Sequence, residues 1–221
     1  MQRVLEPEVM DSWLEAVEYD AMDFLQVNTA FAQRVTELYP QDAAKVLDAG
    51  TGTGRIPILL CQLRPQWQIF GIDLAENMLK IGCQNVEKAN LQDSIRLELV
   101  DAKQLPYQDE QFDLVISNSL VHHLPDPLLF FLELKRVLKQ NGAICIRDLL
   151  RPTDEATMNS LVESIGTEYN DHQKKLFGDS LHAALTIDEV NQLISQAGIQ
   201  EVKVYQSSDR HWTAERIIGN W

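Results

Sequence analysis

The sequence predicts an α/β fold in which helices cover both faces of a mostly parallel sheet. Short apolar segments alternate with segments whose apolar residues recur at helical spacing. A glycine-rich segment links the first apolar segment to the helix that follows it, and two closely spaced strand-like segments end the chain. Strands that alternate with helices of about 10–15 residues form parallel βαβ units, so most of the chain predicts a parallel sheet.

The predicted core contains five strands and the helices between them. The strands cover residues 45–49, 68–73, 95–100, 112–117 and 143–149, and we place a turn at Asn141-Gly142 before the last of them. Helices are predicted up to Leu63, over residues 75–89 and over residues 128–138. Lys135 and Arg136 near the end of the last of these helices agree with the helix dipole.

The flanking segments are predicted to be helical before the core and mixed after it. Residues 10–38 predict two helices with a break around residues 19–23. Residues 154–172 predict a helix that leads into a polar loop over residues 170–179, followed by a helix over residues 186–196. That last helix has a capping box, since Glu189 follows Thr186 by one turn. Residues 201–206 and 211–218 predict an antiparallel pair of strands.

Composition indicates a single-domain protein that acts on a small molecule. The 221 residues, of which 45% are apolar, suffice for one compact domain with a sizeable core. A formal net charge of −14 argues against binding to nucleic acid or to anionic membranes, because phosphate contacts need clustered Lys and Arg. No apolar run approaches the roughly 20 residues that span a bilayer.

Cysteine usage indicates a reducing compartment. Cys61, Cys83 and Cys145 are an odd number of cysteines without CxxC spacing, which argues against a disulfide framework and against a cysteine zinc site. The first residues are acidic and interrupted by Pro7, unlike a signal peptide. We therefore expect a cytoplasmic protein without a bound metal.

The strongest chemical signal is the segment Asp48-Ala49-Gly50-Thr51-Gly52-Thr53-Gly54, which lies between a strand and a helix. Glycine permits positive φ and close approach of a ligand, and the helix start offers unpaired N–H groups. Asp73 ends the second strand, where a carboxylate can accept hydrogen bonds from both hydroxyls of a ribose. A dinucleotide motif would need glycine where Arg55 stands, and no Gly-Lys-Ser/Thr of a phosphate loop is present.

Four segments in order resemble one enzyme family. VLDAGTGTGR (46–55), GIDLAENML (71–79), LVDAKQLPYQDEQFDLVISNSLVHHLPDP (99–127) and GAICIRDLLRP (142–152) are similar to the class I S-adenosylmethionine-dependent methyltransferases, in their small-molecule methyltransferase-domain branch. The resemblance implies a Rossmann-like three-layer sandwich whose seven-stranded, mostly parallel sheet has the order 3-2-1-4-5-7-6. It also implies an antiparallel C-terminal hairpin and an N-terminal helical cap.

The resemblance further implies one methyltransferase domain over residues 1–221. Residues 1–40 would form the helical cap, residues 41–152 the cofactor-binding core, and residues 153–221 the C-terminal helices and hairpin. The implied cofactor is S-adenosyl-L-methionine, which leaves as S-adenosyl-L-homocysteine. The oligomeric state, monomer or homodimer, stays open.

By the same resemblance, the glycine-rich segment would hold the methionine and ribose parts of the cofactor. Gly50, Thr51 and Gly52 would lie against them, and Asp48 would orient the loop or approach the methionine amino group. Asp73 would bind the ribose hydroxyls.

The adenine and donor sites are implied in the same way. Leu74 and Met78 would flank the adenine, and Asp101, with Ala102 beside it, would accept a hydrogen bond from its amino group. The backbone of Asn118 would approach the methionine amino group.

Two more residues complete the implied cofactor site. Ser119 and His123 would line the methyl donor. Tyr19, at the predicted break between the N-terminal helices, would form part of a lid over the cofactor.

Methyl transfer from a sulfonium is an in-line displacement, so alignment contributes most and a base is needed only when the acceptor must lose a proton. His122, His123 and Asp148 are the candidate catalytic residues. The two histidines are adjacent and on a helix would point about 100° apart, so they cannot serve one site equally. Arg147, Asp148 and Arg151 are candidates for binding the acceptor, and the two arginines suit an anionic group.

Absent motifs narrow the acceptor. The fourth strand is followed by Asn118-Ser119-Leu120 rather than by Pro-Pro-Tyr/Phe or a cysteine, which disfavours amide and C5-cytosine methylation. We therefore expect methyl transfer to an O, N or C atom of a small molecule. Two alternatives stay open: a methyltransferase-like module that binds the cofactor without turnover, and, more remotely, a nicotinamide-dependent oxidoreductase.

Overall fold

A computed structural model of the chain describes residues 1–6, 11–166 and 169–219. Residue 10, where the N-terminal helical pattern begins, and residues 167–168, inside the predicted helix over residues 154–172, lie outside the described residues. Along the described ranges, no helix is long and apolar enough to cross a bilayer.

Within these ranges the elements follow the predicted alternation of helices and strands. The helices are α1 (Trp13–Ala21), α2 (Leu25–Leu38), α3 (Arg55–Leu63), α4 (Glu76–Lys88), α5 (Pro127–Val137), α6 (Glu155–Ser164), α7 (Asp171–Ala183) and α8 (Ile187–Ala197). The strands are β1 (Lys45–Ala49), β2 (Gln68–Asp73), β3 (Ile95–Leu99), β4 (Phe112–Asn118), β5 (Leu138–Leu149), β6 (Lys203–Gln206) and β7 (His211–Arg216). A short 3₁₀ turn covers Val121–His123.

The strands form one sheet in the order β3-β2-β1-β4-β5-β7-β6. Strands β1 to β5 pair in parallel, while β7 runs antiparallel to both β5 and β6. The predicted Rossmann-like architecture, its strand order and its C-terminal hairpin are confirmed. The strand order reverses between β1 and β4, and that reversal opens a crevice at the carboxyl ends of these two strands.

Helices on both faces bury the central strands, which explains why those strands are apolar in succession. On one face, Phe130 and Phe131 of α5 and Trp212 of β7 lie in one apolar cluster and are fully buried. On the other face, Phe31 of α2 and Trp67 belong to a second apolar cluster, which packs against β1 and β4. These two layers hold the carboxyl edge of the sheet in a fixed position.

The predicted turn at Asn141-Gly142 is wrong, because β5 begins at Leu138 and passes through both residues. Leu138 pairs with Phe112 of β4, and a register shift follows between Phe112 and Leu114. Gly142 is needed at this irregularity, since a Cβ there would lie 2.5 Å from Leu138 Cδ1. Gly142 therefore allows close packing inside a strand. The neighbouring residues in the sequence do not distinguish such a glycine from one in a turn.

The predicted polar loop over residues 170–179 is also wrong. These residues belong to α7, which begins at an Asn170 capping box with Gln173. The helix is largely polar, and the apolar side chains that bind it to the protein lie near its end, where Leu181 is fully buried. Phe177 packs against the same cluster. Tertiary contacts at one end thus stabilise a helix whose composition indicates a loop.

We expect Gly142→Ala to destabilise the protein by about 1–3 kcal/mol, because the added methyl group overpacks a strand. Its Cβ would also lie 2.8 Å from the Asp113 carbonyl oxygen, which is backbone and cannot turn aside. Urea unfolding followed by circular dichroism measures the change. Unchanged stability would show that β5 does not pass this position as described.

Gly178→Ala is expected to have the opposite effect and to stabilise the protein by roughly 0.5–1 kcal/mol, since alanine favours a helix. The nearest atom to the added Cβ is Val162 Cγ2 at 3.6 Å, an ordinary contact. The same urea titration tests it. A loss of stability would contradict the assignment of residue 178 to a helix.

Candidate functional site

The predicted site residues converge at the carboxyl edge of the sheet. The glycine-rich segment follows β1, Asp73 ends β2, Asp101 follows β3 and Asn118 ends β4. Ligands of open α/β sheets bind at this edge, where the strand order reverses. The candidate cofactor and acceptor residues, although distant in sequence, therefore face one crevice.

The glycine-rich segment is a tight turn that leaves room for a ligand. Gly50 and Gly52 have φ angles of 74° and 55°, and the N–H groups of Gly50 and Thr51 both donate to the Ile72 carbonyl at 2.9 Å. A Cβ on Gly50 would collide with Leu120 at 2.8 Å. A Cβ on Gly52 would meet Tyr19 Cε1 of α1 at 3.9 Å, an ordinary contact, so the backbone at Gly52 is not tightly covered.

Two carboxylates border this turn. Asp48 is buried, and its Oδ2 accepts a hydrogen bond from the Thr51 hydroxyl at 2.7 Å. Asp73 accepts from the backbone N–H groups of Gly52 at 2.8 Å and Ala75 at 2.9 Å. Burial raises the pKa of Asp48 to about 7, and repulsion from Asp73 adds to the shift. A cationic ligand at the turn would relieve the repulsion between Asp48 and Asp73, so these two carboxylates fit a positively charged cofactor.

The remaining predicted cofactor residues continue along the edge toward β3. Leu74 and Met78, at the end of β2 and in the first turns of α4, are half-buried, and Ala102 is buried. The Asp101 carboxylate accepts from the Lys103 backbone N–H at 2.8 Å and lies 2.9 Å from Lys103 Nζ. These residues form an apolar surface bounded by a carboxylate.

Helix α1 is fastened above the glycine turn. Arg55 contacts Asp20 at 3.2 Å and donates hydrogen bonds to the Asp20 and Met22 carbonyls. The amide of Asn85 donates to Asp20 Oδ1 and to the Thr53 carbonyl, both at 3.1 Å. Arg55, which stands where a dinucleotide motif needs glycine, therefore holds the cap in place.

The end of β4 is joined to β5 and α2 through Arg147. Its Nε donates to Asn118 Oδ1 at 2.8 Å, and its guanidinium lies 4.9 Å from the centroid of the Phe31 ring. Ser119, which has a φ of 61°, donates its N–H to the Arg147 carbonyl at 2.9 Å. This network positions the backbone after β4, beside the glycine turn.

The Asp148 and His122 side chains form a buried pair at the end of β5. His122 Nδ1 lies 2.5 Å from Asp148 Oδ1, and the N–H groups of Val121 and Leu149 donate to the same carboxylate. Burial disfavours both charges, but their mutual attraction outweighs it, so the pKa of Asp148 is lowered and that of His122 is raised. The two side chains therefore stabilise each other's charged form.

Sequence reasoning missed Glu6, which the structure brings to the two histidines. Glu6 Oε1 lies 2.9 Å from His123 Nδ1 and 3.5 Å from His122 Nε2. Ser180 of α7 donates its hydroxyl to the Glu6 carboxylate at 3.1 Å. No local signal could reveal this contact, because it joins an extended terminal segment to a turn in the middle of the chain.

The terminal segment itself is held by backbone acceptors. Arg3 Nε donates to the Ala183 carbonyl at 2.6 Å, and its NH2 group donates to the carbonyls of His122 and Leu124 at 3.0 Å. The N–H of Val4 donates to the His182 carbonyl at 3.0 Å. Residues 1–6, which we call the N-terminal strap, thus lie across the turn that bears both histidines.

Arg151 does not reach the crevice, although it was predicted to contact the acceptor. It is buried, and its guanidinium donates to the Ala184 carbonyl at 3.0 Å and to Glu189 Oε1 at 2.6 Å. Asp148 is likewise buried, and its carboxylate contacts the His122 ring. Of the three predicted acceptor-binding residues, Arg147 alone stays partly exposed, because it lies at the outer end of β5.

Comparison with known proteins decides the family. The family model described as "Methyltransferase domain" matches residues 40–207, which include the glycine turn, the histidine turn and most of the C-terminal part. The chain belongs to this methyltransferase family. Because the chain belongs to this family, the alternative of a nicotinamide-dependent oxidoreductase is excluded.

Curated relatives agree with the family. The methyltransferase is 26% identical over 200 residues to the 27-O-demethylrifamycin SV methyltransferase of Amycolatopsis mediterranei, covering 88% of this chain and 70% of that protein. It is 35% identical over 109 residues to the demethylmenaquinone methyltransferase of Lactobacillus johnsonii. The second match covers 49% of this chain and 45% of that relative.

A solved structure has the same fold. The crystal structure of a SAM-dependent methyltransferase from Aquifex aeolicus superposes with a TM-score of 0.70 at 20% identity, over 95% of this chain and all of that chain. The expected class is confirmed: the protein is a class I S-adenosylmethionine-dependent methyltransferase.

Asp148→Asn is expected to destabilise the methyltransferase by about 3–5 kcal/mol, because it removes one partner of a buried charge pair. Urea unfolding at neutral pH measures the loss. Asp109→Asn is the matched control: this carboxylate pairs with Arg136 at 2.8 Å on the surface, so its loss should cost less than about 0.5 kcal/mol. Equal losses for both variants would contradict the buried pair.

Proposed function

We propose that the methyltransferase binds S-adenosylmethionine across the carboxyl edge of its sheet and transfers the methyl group to a small molecule. The observation that carries this proposal is the pair of carboxylates, Asp48 and Asp73, on either side of the glycine turn, where both glycines have positive φ. When bound, S-adenosylmethionine supplies a methyl group on a positively charged sulfur. Its ammonium and sulfonium charges complement the two carboxylates.

In this proposal the glycine turn holds the methionine and ribose parts. Gly50, Thr51 and Gly52 give a close backbone surface with positive φ at both glycines. Asp73 binds the ribose hydroxyls through its carboxylate, which also accepts hydrogen bonds from two backbone N–H groups. Asp48 approaches the methionine amino group, whose positive charge favours the ionised carboxyl.

The adenine side is assigned to the apolar surface between β2 and β3. Leu74 and Met78 flank the ring, while Asp101 accepts from its amino group beside Ala102. The half-buried state of the two apolar side chains supports this role, because a bound ring would cover what remains exposed.

The methyl-donor end lies near the turn after β4. Asn118 presents its backbone to the methionine amino group, and Ser119 and His123 line the donor. Tyr19 covers the site from the cap, where its ring would contact a Cβ added to Gly52 at 3.9 Å. The fastening of α1 by Arg55 supports a cap that stays above the cofactor.

The acceptor is proposed to bind between His123 and Arg147, with His122 and Asp148 supporting the turn behind them. One relative is named for 27-O-demethylrifamycin SV and others for demethylmenaquinone, both small molecules. The net charge of −14 disfavours nucleic acid as acceptor.

We further propose one methyltransferase domain over residues 1–221, with a cap over 1–40, a cofactor-binding core over 41–152 and a C-terminal part over 153–221. A cytoplasmic location is proposed because Cys61, Cys83 and Cys145 are free thiols, which suits a reducing compartment.

Asp73→Ala should weaken binding of S-adenosylhomocysteine at least tenfold, because two hydrogen bonds to a charged group are lost. Isothermal titration calorimetry measures the affinity, and urea unfolding confirms that the variant folds. Asp109→Asn, on the surface, serves as the control. Unchanged affinity in Asp73→Ala would refute the ribose role.

Affinity for S-adenosylmethionine should fall as the pH drops through about 7. Burial raises the pKa of Asp48 to about 7, so the carboxylate that faces the ligand's positive charge is protonated below that pH. Linkage predicts up to about a tenfold loss of affinity from pH 8 to pH 6. Asp48→Asn should bind weakly with a flat profile between the two pH values. An equal slope in both proteins would exclude Asp48 as its source.

A further inference from the structure

We propose that Glu6, His122 and His123 form a binding site for one divalent transition-metal ion, which fastens the N-terminal strap to the turn after β4. Each residue offers one ligand atom, a carboxylate oxygen or an imidazole nitrogen, and these atoms all lie within 4.8 Å of one another. The inference goes beyond the proposed function, because it assigns a ligand that is neither the cofactor nor the acceptor.

The separations between the ligand atoms suit a shared ion. Glu6 Oε1 lies 2.9 Å from His123 Nδ1 and 3.5 Å from His122 Nε2. Atoms that bind one zinc ion tetrahedrally at about 2.0–2.2 Å lie roughly 3.4 Å from each other, which is between the two measured values. The imidazole rings lie side by side with centroids 4.1 Å apart, so one nitrogen of each ring meets the same carboxylate oxygen.

His123 Nδ1 is a buried nitrogen whose bonding capacity is unused. Among the residues that the structure describes, it has no hydrogen-bond partner, although Glu6 Oε1 is only 2.9 Å away. Buried polar atoms of native proteins are almost always bonded, and each exception needs an explanation. A metal ion beside the two atoms would take the lone pair of Nδ1 and the negative charge of the carboxylate together.

His122 has the supporting contact that metal-binding histidines usually have. Its Nδ1 lies 2.5 Å from Asp148 Oδ1, so the Nδ1 proton is directed to this carboxylate. The ring nitrogen on the opposite side, Nε2, then faces Glu6. A carboxylate behind a ligating imidazole fixes the tautomer and the orientation of the ring. Where Nε2 carries a proton, the ion takes its place and the proton passes to water.

The ligands come from two segments that are already held against each other. The Glu6 side chain is 6% exposed and accepts the Ser180 hydroxyl at 3.1 Å. Arg3 donates to the carbonyls of His122 and Leu124, which lie on or directly after the histidine turn. The ligand atoms therefore approach one another without the ion, which lowers the entropy cost of binding it.

The ligand set selects the class of ion. Two imidazoles and one carboxylate suit Zn²⁺ and similar transition metals, whereas Ca²⁺ and Mg²⁺ prefer oxygen ligands alone. Three protein ligands leave a further position, which water would fill. The cysteine spacing predicted a protein without a bound metal, but that argument concerns thiolate sites, and this site uses histidine.

The first test titrates Zn²⁺ into EDTA-treated protein by calorimetry. All proteins carry Cys83→Ser, because Cys83 is an exposed thiol that itself binds such ions. We expect one Zn²⁺ per chain. Glu6→Gln and His123→Gln should each weaken binding at least as much as the roughly 10–100-fold that loss of a supporting contact costs.

His172→Gln is the matched control, because this histidine is exposed on α7 and lies outside the proposed site. Its affinity for Zn²⁺ should equal that of the Cys83→Ser protein. Absence of Zn²⁺ binding, or equal affinity in all of these variants, would overturn the site.

The second test identifies the ligand atoms. X-ray absorption at the zinc edge of the Cys83→Ser protein should show nitrogen and oxygen neighbours, with the outer-shell pattern of two imidazoles. His123→Gln should lose one of the two imidazoles. Sulfur neighbours, or an unchanged spectrum in His123→Gln, would contradict the assignment.

The third test concerns the fastening of the strap. The Val4 N–H donates to the His182 carbonyl at 3.0 Å, so its hydrogen exchange reports release of the strap. Zn²⁺ should slow this exchange in the Cys83→Ser protein and leave it unchanged when Glu6→Gln is added. Equal exchange with and without bound Zn²⁺ would refute the fastening. The affinity for S-adenosylhomocysteine, measured on the EDTA-treated protein, tests the proposed function separately.

Discussion

The acceptor end of this methyltransferase depends on one buried carboxylate. Asp148 lies at the end of β5, where each of its oxygens must receive donors because water is excluded. The donors are the His122 ring and the N–H groups of Val121 and Leu149. The hydrogen bonds to Asp148 therefore fix the turn after β4. That turn carries His123 and the carbonyl groups to which the strap binds.

The cofactor end differs from the Asp148–His122 pair, because its carboxylates have, among the described residues, no basic side chain that neutralises them. Asp48 and Asp73 receive a hydroxyl and backbone N–H groups, whereas the nearby Arg55 pairs with Asp20 of the cap. In the proposed function, the cofactor supplies the positive charge that balances them. One edge of the sheet thus combines a buried ion pair, Asp148 with His122, and two carboxylates without a basic side-chain partner in the described part of the chain, which suit the cationic cofactor of the proposed function.

The resemblance to the methyltransferases predicted the family and the strand order correctly, and the sequence pattern located the glycine turn. The pattern failed where a long-range contact decides the local structure. Gly142 was interpreted as a turn residue, but it lies in β5 because Leu138 packs over it. Residues 170–179 were interpreted as a loop, but Asn170 caps a helix whose end is buried at Leu181. Arg151 was expected in the crevice, but a salt bridge to Glu189 turns it inward.

The family resemblance supplied the proposed cofactor roles, and the sequence by itself determined the alternation of strands and helices and the residues at the carboxyl edge. It could do so because periodicity, glycine spacing and strand ends are local properties, and parallel strand ends necessarily converge. Only the tertiary structure decided the surroundings of the two neighbouring histidines. It buried His122 against Asp148 and brought Glu6 to His123. Contacts between distant segments depend on packing in three dimensions, which no local pattern records.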